Sequence, residues 1–139
     1  MIMVELDAMG CVVRHRSEPD FIIAENGTEI ANPVPAGWVG IDAETSALVA
    51  THRLMLGQWV PRPVCPQPVK VGRTKWRVEG CPDGCIAEVC DEDFGTLLGQ
   101  AEAVGGVITI ELPDPGRYVV EVSAPSPWLR ARARLEVAA

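Results

Sequence analysis

The sequence predicts an all-β chain in two parts, a small N-terminal antiparallel meander followed by a β-sandwich. Three observations lead there. Apolar residues alternate with polar ones at period two in several segments, with Thr74, Trp76 and Val78 facing one way and Lys75, Arg77 and Glu79 the other. Glycine (13) and proline (12) together make 25 of 139 residues, which favours many turns and short strands over long helices. About six or seven strand-like segments follow one another within the last ~75 residues, as a sandwich requires.

Residues 1–16 read as a β-hairpin. Ile2, Val4 and Leu6 alternate with their neighbours, Asp7-Ala8-Met9-Gly10 makes the turn, and Cys11-Val12-Val13 begins the return. Phe21-Ile22-Ile23-Ala24 is a short strand ended by the turn dipeptide Asn26-Gly27. Asn32-Pro33-Val34-Pro35-Ala36-Gly37 cannot hold a ladder. Trp38–Ile41 and Ala47–Ala50 read as strands flanking the polar turn 42–46, and residues 53–60 as a tight hairpin around Gly57. Four prolines at 61, 63, 66 and 68 mark the boundary. The expected organisation is therefore a docking segment at 1–62, a stiff linker at 63–68 and a sandwich at 69–139.

In the second part, Ile108, Ile110 and Leu112 alternate with Thr109 and Glu111, and Tyr118, Val120, Val122 and Ala124 share one face. Leu129, Ala131, Ala133, Leu135 and Val137 alternate with Arg130, Arg132, Arg134 and Glu136. Ile86–Val89 and a weaker segment near Leu97-Leu98 complete the strands. Gly95 and Gly99 argue against a helix between Asp91 and Ala103.

Charge excludes some functions. Residues 1–63 carry four basic and eight acidic groups (−4) and residues 64–139 eight and eleven (−3), the total being −7. Neither half is basic enough to track a phosphate backbone, so nucleic acid is not an expected partner. No apolar run reaches the ~18–20 residues of a membrane span. The first residues lack a basic region followed by an apolar stretch, so no signal peptide is expected and folding in a reducing cytosol is.

Cysteine is the first chemical candidate. Cys65, Cys81, Cys85 and Cys90 are spaced C-x15-C-x3-C-x4-C, and four thiolates suffice for zinc or an iron–sulfur cluster. The usual zinc knuckle is C-x2-C, and Pro82-Asp83-Gly84 is good turn chemistry in its own right, so buried thiols flanking a hairpin loop are the expected reading. A Cys81–Cys85 disulfide would need an oxidising setting. The triplet Asp93-Phe94-Gly95 has no other kinase motif around it, and the acidic run lacks the alternating oxygens of a calcium loop. His15 and His52 have no recognisable nucleophile partner, and Ser46 has no elbow context, so neither catalysis nor a cofactor is expected.

Arg130, Arg132 and Arg134 form a guanidinium row suited to partner carboxylates or anionic glycans, or paired with Glu121 on a neighbouring strand. Trp38, Trp59 and Trp128 lie at loop edges, where tryptophan anchors interfaces, whereas Trp76 reads as core.

Leu112-Pro113-Asp114-Pro115-Gly116-Arg117-Tyr118 has the form Leu-x-Asp-x-Gly-x-Tyr. It resembles the tyrosine corner of immunoglobulin-like sandwiches, in which the phenol bonds back to the upstream corner. Together with Cys81-Pro82-Asp83-Gly84-Cys85, Gly105-Gly106-Val107-Ile108 and Ala124-Pro125-Ser126-Pro127-Trp128-Leu129, it makes residues 69–138 look like the Ig-like modules of small tail and tail-fibre-region proteins of long-tailed bacteriophages. Pro35-Ala36-Gly37-Trp38 and Gln58-Trp59-Val60 extend the resemblance loosely into the first half. Val120 stands where an immunoglobulin places its second disulfide cysteine, so that disulfide is not expected.

The resemblance implies a non-enzymatic virion structural protein, made in the host cytoplasm and placed at the tail tip or fibre-attachment region. Its partners would be neighbouring tail proteins or a host surface. Two other readings stand beside it: a small protein whose four cysteines hold zinc or an iron–sulfur cluster, and a carbohydrate-binding module stacking sugars on Trp38, Trp59 or Trp128.

Overall fold

In the computed structural model, which describes residues 1–139, the chain is all-β, with fourteen strands and one short helix. It divides into two compact units, Met1–Arg62 and Pro63–Ala139. No helix is long and apolar enough to cross a membrane.

In the first unit, β1 (Ile2–Leu6) lies between β2 (Val12–Ser17) and β5 (Trp38–Ile41), antiparallel to both. The β1–β2 turn is held by Asp7, whose Oδ1 accepts from the amides of Met9 and Cys11 at 2.8 and 3.0 Å. Strands β3 (Phe21–Ile23) and β4 (Glu29–Ala31) form a hairpin on their own. Its Asn26 carboxamide oxygen accepts from the Thr28 amide at 3.0 Å, as an Asx turn should.

Residues 43–50 differ from expectation. Ala43–Ser46 form a one-turn helix, α1, and 47–51 are turns rather than a strand. Asp42 is the reason. Its carboxylate accepts from the Thr45 amide at 2.7 Å as an N-cap, and that bond lowers its pKa. The local cap outweighs the weak strand signal of Ala47-Leu48-Val49-Ala50. The unit closes with the hairpin β6 (His52–Met55) and β7 (Gln58–Pro61). Leu54 N donates to Gly10 O at 2.9 Å, joining this hairpin to the β1–β2 turn.

The second unit is a sandwich of two antiparallel sheets. One is ordered β11 (Leu97–Glu102), β10 (Ile86–Asp91), β13 (Gly116–Ser123), β14 (Ala131–Val137). The other is ordered β12 (Val107–Glu111), β9 (Lys75–Glu79), β8 (Val69–Lys70). Period-two alternation is realised in the burial of β9, β10 and β12: Trp76 and Val78, Ala87 and Val89, and Ile108 and Ile110 all point inward, whereas β11 is exposed almost throughout. The β9 and β12 side chains meet those of β10 together with Tyr118, Val120, Val122, Ala131, Leu135 and Val137 of the facing sheet in one apolar cluster. Tyr118 donates its hydroxyl to the Asp114 carbonyl at 2.7 Å, the corner bond expected from the Leu-x-Asp-x-Gly-x-Tyr turn.

The segment 63–68, expected as a linker, belongs to the sandwich unit. Val64 bridges Leu129 in parallel, Cys65 N donates to Leu129 O at 2.9 Å, and Leu129 N donates to Pro63 O at 2.8 Å. The prolines flank Val64 and Cys65 without removing their amides, so one rung of a ladder survives. Cys65 is then fully buried in the core.

Candidate functional site

The arginine row starts from strand parity. Because β14 pairs with β13 through Arg132↔Glu121 and Arg134↔Val119, its arginines stand on the outer face of the four-stranded sheet. Carboxylates answer them there. Arg130 lies 3.7 Å from Glu121, and Arg134 Nε lies 3.1 Å from Glu92 Oε1. Arg132, Glu88, Cys90 and Glu121 rim a depression of about 230 Å³ floored by Val119. Val119 points outward yet is almost wholly covered, beneath a depression lined by Glu88, Glu121 and Arg132. The row is thus part of a mixed-charge face, in which surface pairs of this kind contribute little energy.

The four cysteines do not converge. Cys85, just before β10, is buried, whereas Cys90, five residues on and within β10, is only partly buried on the other face. Cys90 goes to the outer depression. Cys85 goes into the core with Cys65, and Cys81, packed against the same core, donates its thiol to the Val78 carbonyl at 3.5 Å. All five cysteines of the chain are free thiols. Burial pushes Cys65 and Cys85 up in pKa and Cys81 up to about 11, keeping all three protonated at neutral pH. No group of three or more His, Cys, Asp or Glu side chains is arranged to hold a metal ion.

The tryptophans occupy different settings. The Arg16 guanidinium sits 4.6 Å from the Trp38 ring centroid, covering a face that a sugar would need. Trp59 is half-buried on β7 opposite Leu54. Trp128 packs on the sandwich core in the loop that carries the cis Ser126–Pro127 bond. Trp76 is core, as expected, with Lys70 Nζ 5.5 Å from its ring centroid.

What sequence reasoning missed lies in the first unit. Only Met3, Val4 and Cys11 are fully buried there, while nine large hydrophobic residues, Phe21, Ile23 and Leu56 among them, are exposed. At the β6–β7 turn Leu56 has φ 49 and Gly57 φ 78, and the Leu56 side chain is entirely open to solvent. The signal was the turn Met55-Leu56-Gly57-Gln58 itself: a two-residue hairpin loop with leucine where asparagine is preferred. The sandwich leaves a further apolar slot of about 200 Å³, where Leu98 and Gly99 of β11 come beside Ile110 and Leu112.

No family model, curated protein or solved structure matches the chain.

Proposed function

We propose that the chain is a non-enzymatic structural protein acting through protein–protein contacts, a tail-tip or fibre-attachment component of a long-tailed phage particle. The observation that carries the contact role is the imbalance in the first unit: three fully buried hydrophobic residues against nine large exposed ones in 62 residues. A unit so poor in core gains stability when a neighbour covers that surface. The N-terminal unit is then the docking part, and the sandwich is the part that projects or meets a further protein. The strand order of the sandwich and the Tyr118–Asp114 bond support its Ig-like reading. The particle itself rests on the resemblance of the turn motifs.

Several features favour binding over catalysis. No charged residue is fully buried. His52 meets only the adjacent Thr51 hydroxyl, at 2.8 Å.

The test is targeted mass spectrometry of density-gradient-purified particles from the source strain. Peptides of this chain are expected at a fixed ratio to the other tail proteins. Their absence from particles, with the free protein a stable monomer, overturns the reading.

A further inference from the structure

Charge is segregated along the second unit. Residues 78–116 carry nine acidic side chains and no lysine or arginine, whereas all eight basic residues of the unit lie within 70–77 and 117–134. The fold turns this linear division into two opposed edges. In the four-stranded sheet β11 stands at one edge and β14 at the other, three strand spacings or about 14 Å apart. Leu98 and Gly99 of β11 come beside Ile110 of β12, so the strands of the acidic segment share one side of the sandwich. The Val64–Leu129 bridge holds the chain that leads into β8 against the chain that leads into β14, so the basic strands share the other side.

Both edges are open. No strand of the chain pairs with the outer side of β11, and none pairs with β14 beyond the Leu129 bridge. Each therefore leaves alternate amides and carbonyls without a ladder partner. Strand β11 has neither lysine nor proline to blunt it. Its one irregularity is the slip that leaves Leu98 unpaired, and from Gly99 to Glu102 its register is regular. Each edge also presents a charge that the chain itself does not answer. Glu102 and Arg132 are exposed and stand in no ion pair, whereas Arg130 and Arg134 are engaged by Glu121 and Glu92.

A foreign strand would need only one of these edges. Two edges of opposite sign on one unit, with strand directions to match, fit a second copy. Three antiparallel steps separate β11 from β14, so the two strands run in opposite directions. A copy added in the same orientation sets its β11 antiparallel to the β14 already present, and the sheet continues. We propose that the sandwich units associate head to tail through these edges. Outward and inward faces match when Arg132 stands opposite Glu102 of the next copy. Ala133 then faces Ala101, Arg134 faces the uncharged Gln100, and Leu135 faces Gly99, which has nothing within 4 Å of its Cβ position. The contact leaves one edge of each kind free at the ends, so it propagates instead of closing as a dimer. One strand pair is a small interface, and the dissociation constant is on the order of 100 µM. The inference is independent of the phage reading, since it concerns the free chain in solution.

The experiment is sedimentation equilibrium of the full chain from about 5 µM to about 1 mM, in about 0.1 M salt, so that the net charge of −7 is screened beyond about 10 Å. The weight-average mass of the wild type is expected to rise past that of a dimer. Glu102→Lys and Arg132→Glu should each weaken association by about tenfold or more, because each sets like charges across the junction. Their melting temperatures should match the wild type, since both side chains are exposed. An equimolar mixture of the two variants should associate as the wild type does, because every junction between unlike variants again joins opposite charges. Glu25→Lys, in the first unit, changes the net charge as Glu102→Lys does and should leave association unchanged. A wild type that stays monomeric at the highest concentration overturns the proposal, and so does a mass that levels off at the dimer. Failure of the mixture to recover association overturns the pairing of β11 with β14.

Discussion

Tyr118 shows how much one side chain decides. Its ring is buried at the start of β13, and its hydroxyl reaches back four residues to the Asp114 carbonyl. Removing the hydroxyl takes from that carbonyl, in an otherwise exposed turn, its partner within the chain. Tyr118→Phe is expected to cost about 0.5–1.5 kcal/mol in urea denaturation, with the far-ultraviolet spectrum unchanged. The three core thiols act through pH. Burial holds Cys81 near 11 and raises Cys65 and Cys85, so the folded chain keeps protons that the unfolded chain releases above about pH 8.5. Stability therefore persists below that value and falls as pH rises from about 8.5 toward 11. Under reducing conditions the urea midpoint should drop over this range, and Cys81→Ala should reduce the drop. A midpoint with the same pH dependence in both proteins would refute the assignment.

At the scale of elements, two glycines separate tolerance from intolerance. Gly10 has φ +81, and a Cβ there would lie 2.1 Å from the Leu54 carbonyl oxygen, at the junction of the β1–β2 turn and β6. Gly10→Ala is expected to destabilise the first unit by more than about 2 kcal/mol, through both strain and displacement of the Leu54–Gly10 bond. Gly99, inside β11, has ordinary backbone and nothing within 4 Å of its Cβ position. Gly99→Val should stabilise the sandwich by about 0.5–1 kcal/mol, because valine favours a strand and partly fills the adjoining slot. Calorimetry of the two variants checks both signs. Capping governs the same scale. Residues 47–50 carry an apolar run that reads as a strand, yet the Asp42 cap starts a helical turn just before them.

For the whole molecule, the division falls between Arg62 and Pro63, ahead of the proline-rich segment. Pro63, Val64 and Cys65 engage Leu129 at the entry to β14, and Cys65 fills core beside Cys85. A fragment 63–139 is expected to fold cooperatively. A fragment 69–139 should be less stable by about 2–4 kcal/mol, since it loses a buried side chain and leaves the Leu129 amide and carbonyl unpaired. Equal stability of the two by guanidinium denaturation would restore the linker reading. The first unit, with so little core, is expected to unfold at lower denaturant than the sandwich, seen as two transitions in the full chain.

The sequence by itself determined the all-β class and the inward side of β9, β12, β13 and β14, because period two is a local property that every residue states through its own neighbours, whereas the short β8 and the exposed β11 carry no such pattern. It also determined the Tyr118 corner, whose donor and acceptor lie within one turn. Spacing alone invited all four cysteines into one site, and the structure separates Cys85 from Cys90. Only the tertiary structure decided which cysteines meet, since Cys65 reaches Cys85 through a bridge to Leu129, sixty-four positions along the chain. It alone paired Arg134 with Glu92, distant residues brought together by the register of β10, β13 and β14. It alone exposed Leu56 beside Met9 and Arg53. Whether an apolar residue is core or contact depends on what the rest of the chain covers, and that is a sum over long-range packing which no local pattern contains.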